Sequence, residues 1–138
     1  TGVYTDEIAP YVGHVVALDV QPEMHDFYRE KGVPENVSQV TAGAESLPFV
    51  EESIDGAFST MTFHESTTAD ALADLHRALA LDAPYVAVDW SSEGNNESGP
   101  PVEERFDAAD ARELLTEAGF TVEAARERSE TFRVVARA

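Results

Sequence analysis

The stretch HVVALDVQPEMHDFYREKGVPENVSQVTA, residues 14–42, decides the fold. Residues 14–19 form a short apolar run that closes on Asp19, as a buried strand does. Residues 22–31 open on Pro22 and Glu23 and end on Lys31 before Gly32, which are helix start and stop signals. Residues 37–42 alternate well enough for a second strand. Strand, helix, strand is the repeating unit of a parallel α/β sheet, and the same rhythm continues on both sides.

Upstream, residues 4–12 read as a helix that Gly13 ends. Downstream, residues 46–49 cross a loop and residues 54–61 form a strand with Gly56 as its weak point. Residues 69–81 place Leu72, Leu75, His76, Leu79 and Ala80 on one helical face, and Pro84 leads into a strand over 85–90. The core sheet is thus expected to hold at least four strands. Residues 91–101, SSEGNNESGPP, have no apolar period and read as a surface loop too short to reach a second domain. Asp107 is placed to cap a helix through residue 118, with Leu114 and Leu115 inward and Gly119 as its stop. Residues 120–126 and 131–137 then form an antiparallel pair of strands at the end of the sheet.

A length of 138 residues suits one core, so a single domain over 1–138 is expected. Cysteine is absent, which excludes a disulfide framework and a thiolate metal site, and no metal site is expected. No apolar run approaches the roughly 20 residues of a membrane span, and no leader precedes the first turn, so a cytoplasmic, soluble protein without a membrane partner is expected. Nine Lys and Arg against 27 Asp and Glu give a net charge of -18, which repels phosphate and argues against nucleic acid as a partner. The acids are dispersed and Lys31 is the one lysine, a balance that points to adaptation to high salt.

The chain resembles the class I S-adenosylmethionine-dependent methyltransferases, of the ubiquinone/menaquinone-biosynthesis-like type 11 branch, over nearly its whole length. The most specific string is Gly43-Ala44-Glu45-Ser46-Leu47-Pro48-Phe49, similar to that family's G-D-A-E-x-L-P-F loop. Residues 54–65, IDGAFSTMTFHE, resemble its F-D-x-V-x-S-x-x-x-x-H-H segment, and residues 75–79 its helix before the fifth strand, without the usual Gly-Gly turn. Asp89-Trp90 followed by Gly99-Pro100-Pro101 and Arg105 resembles a haloarchaeal-like subgroup. The family's D-x-G-x-G-x-G loop is represented here by Thr1-Gly2-Val3-Tyr4 alone, so the resemblance implies a chain cut short there, with its first strand missing.

The resemblance implies a Rossmann-like sandwich that binds S-adenosylmethionine and methylates a small-molecule acceptor. It places Thr1, Gly2 and Tyr4 at the cofactor's methionine part, Asp19 at the ribose hydroxyls, Val20 on the adenine, and Ala44 and Glu45 at the adenine edge. Thr60, Met61 and His64 fall where a strand opens onto the ligand crevice, near the transferable methyl group. His64 is the catalytic candidate, as a general base or else as a packing residue; Asp19 could equally cap a turn, and Trp90 could line a pocket or fill core. A missing central strand would expose two sheet edges, favouring a homodimer or weakened cofactor binding. Two rivals stay open: a non-catalytic cofactor-binding or interaction module, and an NAD-dependent oxidoreductase, against which the A-E-x-L-P-F loop argues.

Overall fold

A computed structural model describes residues 1–138 as two compact units, Thr1–Ser46 and Leu47–Ala138. The first contains helix α1 (Val3–Ile8), a 3-10 turn (Ala9–Tyr11), strand β1 (Val15–Asp19), helix α2 (Pro22–Lys31) and strand β2 (Val37–Thr41). The opening helix is shorter than expected because Pro10 has no N–H to continue the ladder, and the chain tightens into the 3-10 turn. β1 and β2 pair in parallel from Val15 opposite Val37 to Asp19 opposite Thr41, with α2 as the crossover. Tyr28 and His25 of α2 are buried, together with Ala9, Val15 and Val37.

Each buried polar group of this unit has a partner. Tyr28 donates its hydroxyl to Asp6 Oδ1 at 2.6 Å, and Lys31 reaches Asp6 Oδ2 at 2.5 Å. His25 Nε2–H donates to the Val40 carbonyl at 3.0 Å while Gln39 Nε2–H donates to its Nδ1 at 3.2 Å, a core histidine with both nitrogens used.

The second unit contains β3 (Ala57–Thr60), α3 (Phe63–Ser66), α4 (Ala69–Ala78), β4 (Pro84–Trp90), a 3-10 turn (Val102–Glu104), α5 (Ala108–Glu117), β5 (Thr121–Glu127) and β6 (Thr131–Arg137). Its sheet runs β3-β4-β6-β5, with β3 parallel to β4 and β6 antiparallel to both its neighbours. The expected single sheet is therefore two sheets, one of two strands and one of four. The last strand is also interior, lying between β4 and β5; its Phe132, Val134 and Ala136 face is fully buried while Arg133 on the other face is exposed, and β5 carries Glu123, Arg126 and Glu127 on the sheet's edge.

Two boundaries move for a local reason. Ile54 forms an isolated bridge with Leu79 and accepts Ala80 N–H at 2.8 Å, so α4 stops at Ala78 and β3 proper begins at Ala57. α5 starts at a capping box, in which the Asp107 side chain accepts Asp110 N–H and the Asp110 side chain accepts Asp107 N–H. Gly119, at φ 97, turns the chain out of that helix, and a Cβ there would lie 3.4 Å from His76 Nε2.

Candidate functional site

In the first unit, the carboxyl ends of β1 and β2 lie side by side, where open parallel sheets present their ligands. Asp19 closes β1, half exposed; its Oδ1 accepts Gln21 N–H at 3.0 Å and its Oδ2 carries no hydrogen bond. Val20 follows, 61% exposed, although it is apolar. Across the pair, Ala42 N–H donates to the Asp19 carbonyl at 3.1 Å, and Gly43 to Ser46 form a turn closed by a 3.2 Å bond that holds Ala44 half buried and Glu45 at the surface. The fold thus brings Asp19, Val20, Ala44 and Glu45 to one end of one sheet.

Gly2 stands before α1 in the left-handed region at φ 74. A Cβ there would lie 2.1 Å from the Tyr28 ring, so glycine is required by the turn and by this side chain. Thr1 and Tyr4 flank it with exposed side chains.

In the second unit, β3 leaves the sheet through an elbow. Met61 takes a left-handed φ of 56, uncommon for a residue with a side chain, and its N–H donates to the Val88 carbonyl at 2.8 Å. Ser59 and Thr62 hydroxyls meet at 3.0 Å across the bend. Phe63 is fully buried edge-on to Phe106 and Phe132, with centroids at 5.7 and 5.6 Å, and this anchor sets the direction of the next residue. That residue is His64.

The His64 N–H donates to Asp89 Oδ2 at 2.7 Å and its Nδ1–H donates to the same oxygen at 2.8 Å. Asp89 is fully buried at the end of β4, and its Oδ1 accepts Trp90 N–H at 2.7 Å. Three N–H donors offset the desolvation of that carboxylate. The His64 side chain is only 8% exposed, and its Nε2 faces the exposed Glu65 Oε1 at 3.6 Å. Below the pair, burial raises the Tyr85 hydroxyl above the ordinary phenol range, the bond from Ser59 opposing that shift and the charge of Asp89 adding to it.

Asp89 is not among the candidates read from the sequence; its signal there is a single acid near the end of a strand otherwise made of apolar residues. Trp90 is half buried beneath the loop that follows it: Gly99, at φ 86, sits where a Cβ would come 2.6 Å from the indole, and the Arg105 guanidinium lies 5.6 Å from the ring centroid. Arg105 is itself buried and donates to the carbonyls of Ser91, Ser98 and Pro100 and to Asn96 Oδ1. Residues 91–101 are therefore a loop stapled from within by one arginine. A hollow of about 480 Å³ lined by Glu93, Asp107, Ala108, Arg112 and Glu127 does not include His64 or Asp89. Glu127 there already accepts from Ser91 Oγ at 2.6 Å and Ala108 N–H at 2.5 Å, which accounts for its position structurally.

A carboxylate at a strand end, a β-α elbow and a mixed sheet with an interior last strand together define a Rossmann-like methyltransferase fold. Comparison with known proteins agrees: residues 1–87 match the family described as Methyltransferase domain. A SAM dependent methyltransferase from Aquifex aeolicus is 30% identical, with a TM-score of 0.88, the match covering 99% of this chain and 76% of that one. The biotin biosynthesis bifunctional protein BioHC of Cellvibrio japonicus is 38% identical over 61 residues, 44% of this chain and 12% of that protein. A methyltransferase-like protein of Schizosaccharomyces pombe is 34% identical over 80 residues, 57% of this chain and 30% of that protein. The chain thus spans less than a third of the length of these two curated relatives. It belongs to the methyltransferase-domain family, whose cofactor is S-adenosylmethionine.

The residues present fit that cofactor. Asp19 has one carboxylate oxygen without a hydrogen bond, the acceptor chemistry a diol requires, and Val20 beside it is exposed and apolar, the chemistry an aromatic ring requires. No helix is long and apolar enough to cross a membrane.

Proposed function

We propose that residues 1–138 act as one methyltransferase domain that transfers a methyl group from S-adenosylmethionine to a small-molecule acceptor. The observation that carries this reading is Asp19 at the end of β1, beside the 43–46 turn, with one carboxylate oxygen free of hydrogen bonds and an exposed apolar neighbour. In it, Asp19 takes the ribose hydroxyls, Val20, Ala44 and Glu45 hold the adenine, and Thr1, Gly2 and Tyr4 receive the methionine part. Thr60 and Met61 flank the reacting methyl group, and His64 takes the acceptor's proton.

When bound, S-adenosylmethionine supplies a methyl group on a positively charged sulfur, and transfer needs in-line approach more than acid-base help. The chain contributes orientation through Asp19 at the end of β1. The charge of -18 and the exposed acids Glu51, Glu52, Glu103, Glu104, Asp110, Glu113 and Glu117 support work in a salt-rich cytoplasm. Association of two copies through the unpaired edge of β3 belongs to the same reading, and sedimentation measures it.

The test is calorimetric titration of S-adenosylhomocysteine in molar potassium chloride, with NAD as the control ligand. Binding of the first and not the second is expected, weakened about 10- to 100-fold by Asp19→Ala through loss of charge-assisted hydrogen bonds worth roughly 1.5–3 kcal/mol. A folded sample that binds neither ligand would contradict the reading.

A further inference from the structure

We infer that Asp89 is the positioning residue of a His–Asp pair, which fixes the proton of His64 on Nδ1 and leaves Nε2 as a base for an acceptor that carries its O–H or N–H proton until transfer. The inference rests on the reading of His64 as a general base. Its grounds are geometric. An ionised carboxylate only accepts, so the 2.8 Å contact between Asp89 Oδ2 and His64 Nδ1 places the proton on Nδ1. The 2.7 Å bond from the His64 N–H to the same oxygen fixes where the ring begins, and the Trp90 N–H on Oδ1 fixes the carboxylate plane. Both elements are rigid, since β4 runs through the sheet and α3 is anchored by the fully buried Phe63.

A histidine that only filled space would need neither a fully buried carboxylate nor a strained residue before its helix. His25 of the first unit shows that simpler solution, donating from Nε2 to the Val40 carbonyl. In His64 the second nitrogen faces Glu65 Oε1 at 3.6 Å, and the Glu65 side chain is 73% exposed. As the acceptor's oxygen or nitrogen forms its bond to the methyl carbon, the carbon–sulfur pair returns to sulfur and the acceptor's proton passes to His64 Nε2. The imidazolium lies between the carboxylates of Asp89 and Glu65 and gives the proton to water beside the latter. Charge and atoms balance with no further reactant.

Long-range proton–nitrogen correlation spectra of the histidine rings, recorded above their titration range with His64 assigned through H64Q, test this on the free protein. Wild-type His64 is expected as the Nδ1–H tautomer and His25 as the Nε2–H tautomer in the same spectrum. D89N is expected to lose the fixed Nδ1–H form and E65Q to keep it. A wild-type His64 protonated on Nε2, or one still fixed as Nδ1–H in D89N, would overturn the inference. Should D89N not fold, the wild-type spectrum decides alone. Titration of S-adenosylhomocysteine separates the two claims: H64Q and D89N are expected to bind it as the wild type does. Absence of binding to the wild type would overturn the methyltransferase reading, and the base role with it, while leaving the tautomer result as measured.

Discussion

The two units hold their candidate site residues by different means. In residues 47–138 a continuous core joins Phe63, Leu72, Leu79, Leu115, Phe132 and Val134, and the His64–Asp89 pair is built into its edge. In residues 1–46 the buried set is small, β1 is half exposed beyond Val15, and Asp19, Val20 and Ala44 are presented by backbone and turns. On the proposed reading, side-chain chemistry that depends on direction sits where packing is dense, and the surface that meets a ligand sits where it is not.

The largest test of this contrast is Phe132→Ala. It empties the centre of the larger core and is expected to cost about 3–5 kcal/mol, read by urea unfolding. Hydrogen exchange should rank the units in the same order, with β4 and β6 amides slowest and β1 amides faster; equal protection would remove the contrast.

Next is Gly2→Ala. Its Cβ meets the Tyr28 ring and its φ is left-handed, so a loss of roughly 1–3 kcal/mol is expected, and Tyr28→Ala in the same chain should relieve the clash but not the strain. Smaller, at about 1 kcal/mol, is Asp107→Ala at the α5 cap, a change confined to the second unit.

The smallest effects concern pH. Lys31 and then Tyr28 hold the Asp6 carboxyl below 3.8, and Arg77 and then the Leu47 N–H do the same for Asp74. The folded chain therefore binds fewer protons at these sites than the unfolded one. Their stabilisation is complete above the unfolded value and is lost as pH falls through the folded values. Thermal melts between pH 7 and pH 2 should show that acid loss, with Asp6→Asn and Asp74→Asn each flattening part of it. Added salt should weaken the exposed Asp6–Lys31 pair first.

Much of this architecture was legible because its signals are local. Pro22 and Gly32 bound α2, Asp107 and Gly119 bound α5, and the apolar run after Pro84 marks β4 without any partner. Pairing was not legible: nothing within residues 131–137 says that the strand lies between β4 and β5, since a strand's hydrogen-bond partners leave no mark on its own sequence. The same holds for Asp89, which meets a histidine 25 positions away only after β3 and β4 pair. Asp19 and His64 could be picked out as strand-end residues, whereas the strand order of the larger sheet could not, because strand signals carry no record of which edges close.

The most direct test of the central claim is amide chemical-shift mapping of S-adenosylhomocysteine on nitrogen-15-labelled protein. The account predicts the largest shifts at Asp19, Val20 and Ala44. Shifts confined to the hollow around Glu93, Asp107 and Glu127, or none in a folded sample, would contradict it.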